Sequence, residues 1–349
     1  MPTSGKEVVF RKEPPFAGQD VVRRALETGP DRTGYVGFAW DVLGQKLYLD
    51  LNRNLDLTDD PKGVLRNKSG SPVFQKFPSV PIESTKDEVP VTHRVDLELG
   101  RFTTELYCTM TIRSGWRGEI ELAGERWQLG IVDDLDRRSS RSDRLILTPP
   151  EAAKQTSPEA ARMHRKRRLE LPLLDSLHLN GYGYDVRLAF RSGPEGSSVA
   201  ATFTETRPAL GRLEVTGQSI GRIVLQRTEP IRSGAVIIDS PKRFSPVPLG
   251  FYDYSSVDLE GGETTGWFVA RTGPITILAD APRVFGHGAP LQNLVTVERE
   301  GSTLALSYKL QGVGGETYQL EAGPGEDSRP GLTIRHEGRQ LVSDHFEYG

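Results

Sequence analysis

Oxygen-bearing side chains recur at every second position between Asp50 and Asp56, in the run Asp50-Leu51-Asn52-Arg53-Asn54-Leu55-Asp56-Leu57-Thr58-Asp59-Asp60-Pro61. Calcium is a hard cation that takes about six to eight oxygens at roughly 2.3–2.6 Å. Side chains at the first, third and fifth places of a loop can converge on one ion, with a backbone carbonyl from the seventh. Asp50, Asn52, Asn54 and Asp56 occupy those four places, and Asp59 or Asp60 can supply the closing carboxylate. The loop departs from the EF-hand pattern in carrying Leu55 where glycine makes the sharp turn, and Pro61 where a bidentate glutamate closes the site. Two ion-free readings compete with calcium. One is a turn in which the Asp and Asn side chains bond their own backbone. The other is an amphipathic strand, since Leu49, Leu51, Leu55 and Leu57 alternate with the polar set. In a strand, alternate side chains stand roughly 6.5–7 Å apart, and Asp and Asn are poor strand formers. A curled loop with calcium as its cofactor is therefore expected.

A second acidic cluster, Asp133, Asp134 and Asp136 followed by Asp143, could ligate another ion or the same one. The competing reading is charge neutralisation by Arg137, Arg138, Arg141 and Arg144. Gly217-Gln218-Ser219-Ile220-Gly221 matches the nucleophile elbow, which needs a strand before it and a helix after it. The following Arg222-Ile223-Val224-Leu225-Gln226 alternates like a strand, so a glycine-flanked hairpin turn is expected. Ser219 remains the one weak catalytic candidate, with His287 and Asp239 or Asp280 as its convenient partners. None of the six histidines stands at zinc-binding spacing, and the single Cys108 excludes an intramolecular disulfide and a cysteine-based zinc site.

These residues must be positioned by strands. Apolar residues alternate over 35–40, 46–51, 93–99, 104–112, 118–123, 125–132 and 144–148. The pattern continues at 184–190, 198–206, 211–216, 222–227 and 234–239, then at 266–271, 275–280, 294–299, 304–310, 317–321 and 331–336. The 37 glycines and 24 prolines punctuate them. Asn180-Gly181 reads as a tight turn into the strand that follows. Helix is expected only at 17–27 and in a short, proline-interrupted stretch at 150–163. The fold class that follows is all-β with minor helix, in two β-sandwich-like domains of Ig-like or jelly-roll-like form. The boundary is placed at Arg207-Pro208-Ala209, giving domains 6–208 and 209–349. The tryptophans at 40, 116, 127 and 267 are expected in the core.

A net charge of −3 gives no global drive toward nucleic acid. The basic run Arg162–Arg168 lacks interleaved aromatics and reads as a solvated segment. No run approaches the ~18 apolar residues of a membrane helix, so no membrane span is expected. No signal peptide is read at the start. The chain is therefore either cytoplasmic or a mature segment of an exported protein.

The phrase YLDLNRNLDLTDDP resembles the DLNGDGDLTDD-type loops of uncharacterised exported β-proteins of planctomycete and acidobacterial type. The later VDDLD and DRLIL segments, and the terminal Val342-Ser343-Asp344-His345-Phe346-Glu347-Tyr348-Gly349, are similar to further elements of those proteins. Asn54-Leu55 stands where they usually carry Asp-Gly. The resemblance covers about a tenth of the chain and implies an exported, calcium-binding β-protein with an extracellular or periplasmic location. The functional expectation is a non-enzymatic protein acting in binding, adhesion or envelope structure, with a carbohydrate or envelope protein as partner. Tyr182 and Tyr184 are candidates for a carbohydrate platform. Self-association through edge strands is a further expectation, the terminal HFEYG strand being its candidate. The alternative is a hydrolase of polysaccharide or ester substrates, with its site between the two halves.

Overall fold

A computed structural model describes residues 7–27, 34–69, 71, 73–102, 105–133, 135, 143–149, 168–193, 196–228, 233–259, 267–301, 303–321 and 329–346. The fold is all-β: the described residues form strands in several sheets, with one short 3-10 turn at Pro61–Gly63. The stretch 17–27, expected to be helical, contains strand β1 (Val21–Glu27), which pairs along its whole length with β2 (Tyr35–Asp41). Its β-branched Val21-Val22 pair and its neighbour strand override the helix-forming Arg-Arg-Ala-Leu-Glu. The expected stretch 150–163 lies outside the described residues.

Strands β1, β2, β3 (Lys46–Leu49) and β4 (Val64–Arg66) form an antiparallel meander. It faces a second antiparallel sheet of β5 (Phe74–Lys86), β6 (Val89–Phe102) and β7 (Glu105–Ile112). Between them lie Phe38, Trp40, Leu47 and Leu49 from one sheet and Phe77, Ile82, Val95 and Leu97 from the other. The outer face of the meander is also covered. Val8 and Phe10 from the N-terminal segment join Ala39, Tyr48 and Leu57 in a smaller cluster.

The third sheet runs in the order β11 (Leu169–Pro172), β10 (Arg144–Thr148), β9 (Glu125–Val132), β8 (Trp116–Leu122). It packs on a ten-stranded sheet whose order begins β14 (Gly196–Thr206), β13 (Tyr182–Gly193), β12 (Ser176–Leu179), β17 (Ser233–Asp239) and β16 (Ile220–Thr228). The order ends β20 (Tyr254–Leu259), β21 (Trp267–Thr272), β26 (Thr317–Glu321), β25 (Thr303–Gln311) and β24 (Gln292–Glu300). A three-stranded sheet of β18 (Phe244–Pro248), β15 (Leu210–Val215) and β23 (Arg283–Phe285) packs on the ten-stranded sheet, as does the short pair β19 (Gly250–Tyr252) with β22 (Ile275–Ile277), and β27 (Gly331–His336) pairs with β28 (Arg339–His345).

Strand β17 shows how these layers join. Its alternate residues Ala235 and Ile237 belong to the core shared with β9 and β10, through Leu129, Ile131, Leu145 and Leu147. The intervening Val236 and Ile238 belong to the core with Leu213, Val247 and Phe285. A strand buried on both faces reads as a continuous apolar run, and Ala-Val-Ile-Ile is one. The boundary expected at 208/209 falls inside this hydrogen-bonded sheet, because β12 pairs in parallel with β17 across it. Arg207-Pro208-Ala209 is a connection between sheets, and its proline, with Gly211 just after it, carries the same local signature as a linker.

The two-residue turn between β12 and β13 is formed by Asn180 (φ 49°) and Gly181 (φ 99°), as their residue types suggest. His178 on β12 is buried, and neither ring nitrogen has a hydrogen-bond partner among the described residues. Burial pushes its pKa below the usual imidazole value. The unfolded chain therefore binds this proton more readily than the folded one. Stability from this group is complete above about pH 6.5, the unfolded value, and is lost as pH falls toward the folded value. Denaturant midpoints measured between about pH 7.5 and pH 5 should fall for the parent chain and fall less for His178→Leu. Parallel curves would show that His178 is not the group responsible.

Candidate functional site

The Asp-rich segment is a curled loop. Strand β3 ends at Leu49, and the chain then alternates into the left-handed region at Arg53 (φ 61°) and Leu55 (φ 64°). Leu55 thus adopts, at some steric strain, the conformation that glycine supplies in an EF-hand. Its side-chain oxygens hold the backbone. Asn52 Oδ1 accepts from the Asn54 N–H (3.1 Å), Asn54 Oδ1 from Asp56 (2.7 Å) and Asp56 Oδ1 from Thr58 (2.8 Å). Buried Asp50 accepts from Asn54 (3.0 Å) and Leu55 (3.1 Å). Across the loop, the Asp59 carboxylate accepts from the Asn52 and Asn54 side-chain amides, and Asp60 from the Leu51 N–H (2.9 Å).

The electrostatics differ along the loop. Asp56 sits below the ordinary carboxylate range, chiefly because the Thr58 hydroxyl and N–H bond it. Asp60 is raised, first by burial and also by the charges of Asp59 and Asp50. The loop also clamps the N-terminal segment: Arg11 N–H donates to the Leu55 carbonyl (2.8 Å), and Leu57 N–H to that of Lys12 (3.0 Å). Leu57 is thereby buried in the cluster behind the meander.

The six oxygen-bearing residues are thus gathered in one loop, and hard carboxylate and amide oxygens match the chemistry calcium requires. Among the described residues, no three His, Cys, Asp or Glu side chains form a cluster that could hold a metal ion. In the structure the loop oxygens are engaged by backbone and side-chain amides.

The second acidic cluster has a different partner from the expected arginines. Asp134 and Asp136, with Arg137, Arg138 and Arg141, lie outside the described residues. Asp133, directly after β9, and Asp143, directly before β10, both face Lys86 at the end of β5. Lys86 Nζ lies 3.0 Å from Asp133 Oδ1 and 2.6 Å from Asp143 Oδ2, with Lys86 and Asp143 at 0% exposure and Asp133 at 1%. His93 Nε2 on β6 lies 3.2 Å from the second Asp133 oxygen and 3.0 Å from Ser84 Oγ. Burial alone would raise the Asp133 pKa, but the His93 contact and the Lys86 charge together outweigh it and hold the carboxyl below its usual value. The ammonium does at Asp133 and Asp143 what a cation would do. Arg144 pairs with Glu170 instead. No sequence signal marked Lys86, because β5 carries Pro78 and Pro81 and does not read as a strand.

A second buried carboxylate went unread in the sequence. Glu316 accepts from the Gly288 N–H (2.7 Å), the Gly314 N–H (3.0 Å) and the Tyr318 hydroxyl (2.8 Å), with His287 Nδ1 at 3.2 Å. Burial is the largest influence on its pKa and pushes it up, yet these donors together hold it below the usual glutamate value. They lock the 312–316 turn to the 286–288 loop. Ser219 is exposed, has φ 57°, and stands in the crossover from β15 to β16. Those strands belong to different sheets, so the expected hairpin turn is a crossover, and a strand follows it where the elbow requires a helix. His287 is committed to Glu316, and no hydrogen bond joins it to Ser219. Burial pushes the Cys108 thiol up to about 11, which leaves it unreactive. Trp40 and Trp127 lie in the core as expected, and Trp116 packs against its edge. The basic run lies outside the described residues except for Arg168.

A groove of about 990 Å³ lies on the outward face of the third sheet, where Arg117, Gln128, Arg144, Ile146 and Glu170 present their side chains around Gly130. The chain matches no family model, no curated protein and no solved structure.

The two acidic clusters make separate expectations. Lys86→Met leaves two buried carboxylates facing each other and should destabilise by about 3–5 kcal/mol. Asp50→Ala strips the acceptor from two backbone amides and should cost about 2–4 kcal/mol. Exposed Asp59→Asn should stay within about 1 kcal/mol. Urea denaturation of the three variants checks this ranking, and a Lys86→Met change as mild as Asp59→Asn would contradict it.

Proposed function

We propose that the chain is a non-enzymatic binding protein, a calcium-stabilised β-protein of the bacterial exterior or periplasm that acts in adhesion or envelope structure. The observation that carries this reading is the open edge of the ten-stranded sheet. Among the described residues, strand β24 pairs only with β25, and it is exposed along all nine of its residues. Leu294, Val295 and Val297 stand in solvent there, with Leu304 on β25. An unpaired strand that presents apolar side chains is a template for another strand, and proteins that need no partner blunt such edges. The C-terminal hairpin supports the same end of the molecule: Phe346 stacks on Tyr308 of β25 at 5.3 Å. The terminal strand, expected to pair along an edge, is paired on one side by β27 up to His345, and Glu347, Tyr348 and Gly349 lie outside the described residues.

Calcium is supported by the crowding of Asp50, Asp59 and Asp60 in one loop, where burial first, and then the charges of Asp59 and Asp50, raise the Asp60 pKa. A divalent ion relieves that repulsion and stabilises the folded state by mass action. The polar groove on the third sheet is the surface that suits a carbohydrate partner. The bacterial exterior rests on the resemblance of the loop phrase.

Two measurements test the reading. The melting temperature should rise when millimolar calcium replaces chelator, and Asp50→Ala should abolish the rise; an unmoved melting curve removes calcium from the proposal. Light scattering over a concentration series should show association of the parent chain that weakens at least tenfold in Val295→Lys/Val297→Lys, a loss of about 1.4 kcal/mol or more. A monomer at every concentration that also fails to bind isolated envelope material overturns the binding role of the edge.

A further inference from the structure

We propose that Lys86 and Asp143 become joined by an amide bond, an intramolecular cross-link between the end of β5 and the start of β10. The site has the parts this reaction needs. The nucleophile and the carboxyl that acylates it form a close ion pair, at 2.6 Å between Nζ and Oδ2, and neither is exposed to water. A second carboxylate, Asp133, touches the same ammonium at 3.0 Å. Asp133 is itself aimed: its Oδ1 accepts from the Leu135 N–H (2.9 Å) and its other oxygen faces His93. It is therefore placed as a proton relay, while Asp143 is placed as the acyl group. His93 in turn lies edge-on to Trp116, and the hydrophobic clusters of the N-terminal sandwich and of the third sheet flank the site.

The step balances without any co-reactant. Asp133 takes one proton from the Lys86 ammonium, and the freed amine attacks Cγ of Asp143. The N–C bond forms, and one C–O bond of the Asp143 carboxyl breaks. The departing oxygen leaves as water, carrying two of the three ammonium protons, one of them returned by Asp133. An ammonium and a carboxylate become a neutral amide, so charge is conserved, and nothing is oxidised or reduced. Two features of the site favour the reaction. Burial removes the hydration that stabilises both ions in water, and fixed contact gives the pair the high effective concentration of an intramolecular reaction. The product suits the chain: with Cys108 as its single cysteine, it has no disulfide to staple its sheets.

The test is the intact mass of the full chain under denaturing conditions. The cross-linked protein should weigh about 18 Da less than its sequence, one water, after allowing for removal of the initiator methionine. Protease digestion should yield one branched peptide that joins the segments around Lys86 and Asp143, with no cleavage after Lys86. Lys86→Arg keeps the positive charge but should return the chain to its full sequence mass, and Asp133→Asn should slow or abolish the loss. A parent chain at full sequence mass overturns the proposal. So does an 18 Da loss that persists in Lys86→Arg, since dehydration at another aspartate would then be its source. Should Lys86→Arg fail to fold, the branched peptide from the parent chain decides alone. None of these outcomes depends on calcium or on the open edge of β24.

Discussion

An ammonium group with no access to water holds the first half of this fold together. The desolvation of a lysine is repaid only where opposite charge meets it at hydrogen-bonding distance, and Lys86 meets it twice. The partners come from the two ends of one long connection, directly after β9 and directly before β10, whereas Lys86 ends β5 in a different sheet. The contact therefore fixes how the β5–β7 sheet meets the β8–β11 sheet. It also fixes where the 133–143 connection leaves and re-enters. His93 adds a fourth polar group, from β6, so four separate chain segments converge on a single point. The penalty for misplacing any of them is high, which makes the cluster a strong selector of one arrangement over its neighbours.

The same device, at lower stakes, recurs through the molecule. A chain with no α-helix among its described residues has no helix ends to cap, but its loops hold many backbone amides that no strand partners. Short acidic and amide side chains take that role. Asp41 accepts from Ala17 and Gly44, Asp175 from Ser233, and Asn67 from Ser69 and Lys76. Asp50 and Glu316 do the same from buried positions, so each is both a local cap and a buried charge. Asp41, Asp50, Asp175 and Glu316 thus serve loop backbone that no strand pairs.

That distribution explains what could be read in the residues beforehand. Alternation located most strands, because a strand with one wet face must alternate, and β10, β26 and β27 match it residue for residue. Strands that break the pattern were missed for physical reasons. Pro78 and Pro81 lie in β5, where a bulge between Phe77 and Val80 absorbs the first, and Pro246 lies in β18. The loop at 50–60 was legible as a curl because Asp and Asn are incompatible with an extended strand. The partners of Asp133 and Asp143 were not. Arginines adjacent in sequence were the obvious counter-ions, and only the sheet topology brings a lysine from some fifty residues away. The boundary placed at 208 rests on a proline and a glycine, which mark a turn equally well inside a sheet system and between domains.

The loop at 50–60 stands between these two uses of carboxylate. Its Asx turns place backbone and side-chain amide donors on the loop oxygens. Repulsion is what the amides leave unrelieved. Each N–H carries only a partial positive charge, and Asp50, Asp59 and Asp60 together bring three full negative ones into a loop whose single ion-pair contact among the described residues is Lys12 with Asp56. At the Lys86 site, the chain solved the same problem with a charge of its own. In the loop, the Asn52 and Asn54 amides reach Asp59, and Asp60 is raised first by burial and then by the charges of Asp59 and Asp50. A bound divalent cation would act on that residual repulsion, and so on the strength with which the loop clamps the N-terminal segment over Tyr48 and Leu57, rather than on the path of the backbone itself.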